Sequence, residues 1–255
     1  MTKKRFSASM YRFIKFMVRL FYPDTRVEGT ENLPDEPCII VGNHAKMNGP
    51  IACELYFPGD HYTWTAGEMM HLKEVPAYAY KDFWSGKPGY IRWFFRIMSY
   101  AVAPLSVCIF NNANCIGVYH DMRLVSTFRD TVSRLEQGAN VVVFPEHDVM
   151  YNGLVWEFQK KFVDVASSYY RKAGRELCFV PMYVAPDLKT LYLGKPVRYD
   201  HTVPKKAQRA SICSYLMEQI TEMATALPEH TVVPYPNIPK KNYPNNKTAV
   251  REING

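Results

Sequence analysis

Three short apolar runs constrain this chain more than anything else in it: "CIIV" at 38–41, "NVVVF" at 140–144 and "LCFVPMYVA" at 177–185. Uninterrupted runs of this length suit strands covered on both faces by helices, rather than strands with one wet face. Between and after them the apolar period changes to three and four. Leu124, Phe128, Val132 and Leu135 predict a helix stopped at Gly138. Val155, Phe158, Phe162, Val165 and Tyr169 predict another, ending near Gly174, and Ile212, Leu216, Ile220 and Met223 a last one. A helix and a strand are expected around "HYTWTAGEMM", and "TLYLGKPVRY" reads as a strand bent at Gly194-Lys195-Pro196. Strands alternating with helices give an α/β class, a single domain with a mixed, mostly parallel sheet flanked by helices. With 255 residues, 47% of them hydrophobic, the chain is long enough for one large core.

Two segments stand apart from that core. Residues 1–23 contain "KKRFSASMYRFIKFMVRLFYP", in which Arg12, Lys15 and Arg19 share one helical face among Phe13, Ile14, Phe16, Met17, Leu20 and Phe21. The cations interrupt any signal-peptide core, and the pattern predicts an amphipathic helix docked in a membrane surface. On anionic lipid each cation adds roughly 1 kcal/mol. Residues 228–255 are rich in Pro, Asn and Lys and read as a loop-like tail. The α/β domain then covers 24–227, with an aromatic and arginine-rich stretch at about 77–112. Its apolar part, Ile97–Phe110 with Pro104 inside, is shorter than the about 20 residues of a spanning helix. It suits an interfacial or re-entrant segment, an acyl-tunnel wall, or a buried core element.

The net charge of +7 is compatible with nucleic acid, anionic lipid or a phosphate-rich cofactor. The chain carries no recognised nucleic-acid motif, and its 18 Tyr and 14 Phe suit a water–lipid boundary, so the expected partner is membrane lipid and not nucleic acid. Six scattered cysteines without paired spacing, mostly in apolar stretches, indicate free thiols in a reducing compartment and no metal site. The expected location is the cytoplasmic side of a membrane, peripheral or monotopic.

His44 and Glu146 each follow the carboxyl end of an apolar strand, the edge at which open α/β sheets bind ligands. Read in order, "VEGTENLP", "IIVGNH", "VVVFPEH" and "FVPMYV" resemble the glycerolipid acyltransferase family, typified by lysophosphatidic acid acyltransferase, from about Val27 to Val184. The resemblance implies transfer of an acyl chain from acyl-CoA or acyl carrier protein to a lysophospholipid-like hydroxyl, with no cofactor beyond that thioester. It makes His44 the general base. Phe144, Pro145 and Glu146 match the acceptor block, and Pro181 the supporting Val-Pro. His120 or Arg123 falls near the register of a basic residue that holds the acceptor phosphate.

Three positions depart from the family pattern. Gly49 stands where an Asp orients the base, His147 where the acceptor block has Gly, and Val149 where it has Arg. In a related catalytic triad, turning the orienting carboxylate into an amide drops the rate about 10⁴-fold. The sequence leaves three readings: Asn48 orients the ring from an Asn-Gly turn with Gly49 at positive φ; a carboxylate from Glu146, Asp148 or Glu54 does so; or the scaffold binds lipid or acyl chains without turnover. The missing Arg also weakens the case for a phosphate-bearing acceptor, since phosphate favours fork-like donors.

Overall fold

The computed structural model describes residues 3–249, apart from the side chains of Lys3 and Lys4. Of the expected terminal segments, Met1, Thr2 and residues 250–255 lie outside the described residues. The α/β chain forms two compact units, one holding the chain up to Tyr22 with Thr63–Asp130, the other Pro23–Tyr62 and the chain from Thr131 on.

In the second unit the strands run in the order Arg26–Glu28, Thr190–Leu193, Cys178–Ala185, Ile39–Gly42, Asn140–Val143, and Val197–Arg198 also pairs with Cys178–Ala185. Ile39–Gly42 is parallel to both its neighbours, while Cys178–Ala185 and Thr190–Leu193 are antiparallel. The sheet is therefore mixed and mostly parallel, as the unbroken apolar runs require. Every residue of Ile39–Gly42 and of Cys178–Ala185 is buried. The helices Asn48–Tyr56, Asp164–Ala173 and Lys205–Ala226 contribute Cys53, Val165, Ile212 and Leu216 to the same core. Register has a consequence for chemistry. Val41 lies opposite Val143, so Asn43-His44 and Phe144-Pro145-Glu146 leave one sheet edge side by side.

The helix expected from Val155 starts later, at Asp164, and ends at Gly174 with φ 66°. Trp156–Phe158 is instead a strand antiparallel to Glu146–Met150, with Glu146 opposite Phe158. Asn152 dictates the reversal: its Oδ1 accepts the N–H groups of Leu154 and Val155 at 2.9 and 2.8 Å, an Asx-type turn.

The first unit pairs Thr63 to Ala66 in parallel with Cys115 to Val118 and carries the helices Lys3–Phe21 and Arg92–Phe110. Arg92–Phe110 corrects the expectation of a segment too short to span. It continues N-terminally through the aromatic-arginine stretch, and the 22 residues Gly89–Phe110 are long and apolar enough to cross a membrane, with only 17% of the most apolar window buried. Its sidedness is inverted. Ser99, Ala103 and Ser106 face inward, with Ser106 Oγ donating to Met69 O at 2.8 Å. Tyr90, Trp93, Phe94, Ile97, Tyr100 and Leu105 point to solvent. The two helices meet at small residues, Ser7 Oγ donating to Cys108 Sγ at 3.7 Å and accepting from Asn112 Nδ2 at 2.8 Å. On Lys3–Phe21 the side chains of Phe6, Phe13, Phe16, Leu20 and Phe21 are likewise exposed.

Candidate active site

The edge above Ile39–Gly42 is built by side chains that finish the sheet. Asn43 is 2% exposed; its Oδ1 accepts Val184 N–H at 2.7 Å and its Nδ2 donates to Val184 O at 3.2 Å. This amide continues the ladder one residue beyond the strand and fixes where His44 begins. The chain then reverses through Ala45 and Lys46, both left-handed at φ 45° and 57°. Gly49 N–H closes the turn onto His44 O at 3.2 Å.

Glu146 ties that turn to the neighbouring hairpin. Its carboxyl, 3% exposed, accepts His44 N–H at 2.5 Å through Oε2 and Trp156 N–H at 3.0 Å through Oε1. Burial pushes the carboxyl up to about 7, against the pull of those two donors. Glu146 therefore reaches the backbone of His44.

The imidazole has a different partner. Nδ1 of His44 is hydrogen-bonded to the carbonyl oxygen of Lys46. A carbonyl only accepts, so Nδ1 carries the proton and Nε2 is the basic nitrogen. The ring lies beside Phe144, centroids 5.3 Å apart, and meets Tyr235 edge-on at 6.1 Å.

Asn48 and Gly49 sit differently from the turn expected of Asn-Gly. Both belong to the helix Asn48–Tyr56, and the positive φ angles belong to Ala45 and Lys46 instead of Gly49. Asn48 Nδ2 donates to Ala45 O at 2.9 Å, bracing the turn from within. Gly49 is needed for room: a Cβ there would lie 2.7 Å from the Phe144 ring and 2.9 Å from His44 O. Glycine at this position is thus matched to the aromatic residue that crosses over it.

The remaining candidates separate. Pro145 is buried and its carbonyl accepts Gln159 N–H at 2.8 Å. His147 Nε2 is 3.8 Å from Glu157 Oε2. Pro181 lies opposite Val41 in the sheet. Asp148 and Val149 are exposed, and Glu54 lies on the helix Asn48–Tyr56. His120 and Arg123 belong to the first unit. His120 is exposed; Arg123 holds Glu74 at 3.0 Å and Asp121 at 2.9 Å and stacks over Tyr119 at 4.1 Å. Among the described residues Glu176, Asp200 and His201 bring three possible metal-ligand atoms together, but His201 Nδ1 is already paired with Glu176 at 2.8 Å and Asp200 Oδ1 accepts from Thr202.

Sequence reasoning missed four contributors. Asn43 and Lys46 flank His44 in the quoted motif, and a polar residue beside a strand end was the available signal. Tyr235 and Tyr243 approach from nearly two hundred residues away, and nothing local marks them.

Two outcomes follow. Glu146 binds its proton more tightly folded than at the ordinary 4.5 of an unfolded chain. The unfolded state therefore holds fewer protons between pH 4.5 and about 7, and stability falls as pH rises through that window, by on the order of 3 kcal/mol. Urea melts across this range show the slope, and Glu146→Gln removes it. Introducing a carboxylate with Gly49→Asp lowers stability by about 1–3 kcal/mol through overpacking against Phe144, measured by thermal melting.

No family model and no curated protein matches the chain. Among solved structures it is similar to the 1-acyl-sn-glycerophosphate (LPA) acyltransferase PlsC from Thermotoga maritima, at 16% identity and a TM-score of 0.46, over 87% of this chain and 83% of that one.

Proposed function

We propose that the protein is an acyltransferase that moves an acyl chain from acyl-CoA or an acyl carrier protein to the hydroxyl of a lysophospholipid-like acceptor at a membrane surface. The observation that carries this reading is the hydrogen bond from His44 Nδ1 to the Lys46 carbonyl, which leaves Nε2 as a base at a sheet edge. His44 Nε2 takes the acceptor's hydroxyl proton as its oxygen forms a bond to the thioester carbonyl carbon. The tetrahedral oxyanion collapses, the carbon–sulfur bond breaks, and the imidazolium proton goes to the departing thiolate. Glu146 serves the reaction by clamping the His44 turn, with Phe144, Pro145 and His147 around it and Pro181 in the supporting strand. With Val149 in place of the family's Arg, the acceptor does not need a phosphate. Mass analysis of products from labelled acyl thioesters and a membrane lipid extract identifies the acceptor. His44→Ala reduces transfer by about 10²–10⁴-fold; transfer at the wild-type rate in that variant refutes the role of His44.

We assign the membrane partner to the first unit and place the protein on the cytoplasmic face as a peripheral or monotopic protein. The support is the inverted Arg92–Phe110 helix and the exposed apolar face of Lys3–Phe21, flanked by the cations Arg5, Arg12, Lys15 and Arg19. Cosedimentation with vesicles containing anionic phospholipid exceeds that with neutral vesicles. Replacing Trp93, Ile97 and Tyr100 together by Ser weakens it by at least about tenfold.

A further inference from the structure

The segment after the last helix, which reads as a tail in sequence, closes on itself. Val232 N–H donates to Pro244 O at 2.9 Å and Asn246 N–H to His230 O at 3.1 Å. Asn246, fully buried, accepts His230 N–H at 3.0 Å and donates to Ala224 O at 2.8 Å, at the end of the helix Lys205–Ala226. His230 Nε2 meets Tyr183 Oη at 2.8 Å, which fastens this neck to the strand Cys178–Ala185. Residues 233–243 are thus an Ω-loop with a fixed neck, stiffened by Pro234, Pro236 and Pro239.

What this loop grips is the turn that holds His44. Lys46 Nζ donates to Tyr243 Oη at 2.6 Å, to Asn237 Oδ1 at 3.3 Å and to Ile238 O at 3.5 Å, and lies 4.9 Å from the centre of the Tyr243 ring. Tyr235 rests against His44 and against Trp156, the latter at 6.4 Å. Two successive non-glycine residues in the left-handed region cost about 1–2 kcal/mol each. Such a turn persists only when its surroundings over-determine it. Glu146 holds its first N–H and Gly49 its first carbonyl. Lys46, whose carbonyl faces Nδ1, is held by its side chain, whose ammonium donates to Asn237, Ile238 and Tyr243 of the Ω-loop.

We infer that Lys46, Tyr243 and Asn237 are positioning residues: the C-terminal Ω-loop holds the Lys46 side chain so that the Lys46 carbonyl keeps the His44 proton on Nδ1. The inference concerns the state of the imidazole and rests on the acyltransferase reading only for its effect on turnover. It also makes the C-terminal loop part of the site.

Nitrogen-15 NMR of the full chain with labelled histidine tests it, His44 being assigned by the signal lost in His44→Gln. In the wild type, Nδ1 resonates as protonated and Nε2 as unprotonated at neutral pH. Tyr243→Phe keeps the ring and removes the nearest of the three acceptors; Lys46→Met removes the cation; Lys46→Arg keeps a donor for the same acceptors. The fraction of His44 with its proton on Nδ1 falls several-fold in the first two variants and stays near wild type in the third, with thermal melting confirming that each is folded. A wild-type His44 with unprotonated Nδ1, or an unchanged tautomer in both Tyr243→Phe and Lys46→Met, overturns the inference. Absence of acyl transfer by the wild type, with the tautomer responding as stated, would instead refute the acyltransferase reading alone. Where transfer is measurable, the acid limb of its pH profile moves in the same two variants.

Discussion

A buried carboxyl that joins two loops underlies the geometry of this site. Glu146 accepts the N–H of His44 with one oxygen and the N–H of Trp156 with the other. Sheet register alone brings the two loops to one edge; it does not fix the angle at which either leaves. One oxygen on each loop converts neighbouring strand ends into a rigid corner, and the cost is visible in a carboxyl displaced far from its ordinary range by burial. The geometry of Glu146 is that of a brace between the two loops.

The two units place their large apolar residues differently, although the first also has a small core of Val75, Ala79 and Ala103. Around Ile39–Gly42 and Cys178–Ala185 every side chain turns inward, and the hydrophobic effect supplies cohesion. In the helix Arg92–Phe110 serine and alanine turn inward, while tryptophan, phenylalanine, isoleucine and tyrosine turn out. An exposed apolar face of this size marks an interaction surface. The helix is held from its other side through small residues and hydrogen bonds, among them Ser7–Cys108 and Asn112–Ser7.

Legibility in the sequence followed the physics of each element. The central strands were readable because full burial leaves no polar residue to blur the pattern, and the ends at Gly138 and Gly174 because a left-handed stop selects glycine. Residues 155–158 were misread because Val155, Phe158 and Phe162 fall at helical spacing by accident, while the deciding signal was a single Asn152 turn. The Arg92–Phe110 helix was underestimated because its two arginines interrupt hydropathy without interrupting helix geometry. His44 and Glu146 were legible as polar groups at strand ends. Their partners were not: a backbone carbonyl has no letter in a sequence, and the loop gripping Lys46 lies at the other end of the chain.

A backbone carbonyl and a carboxylate hold an imidazole in different ways. In the triad where an amide replaces the orienting carboxylate, the large loss in rate comes from the wrong tautomer, because an amide side chain can turn its donor toward the ring. A backbone carbonyl has no donor to offer. It enforces a proton on Nδ1 as strictly as a carboxylate does and forgoes only the full negative charge that steadies the imidazolium. Asn48, with its amide donor committed to Ala45 O, buttresses the same turn. Gly49 is the residue that lets Phe144 pass over the turn, and the carbonyl of Lys46 is what the His44 ring meets.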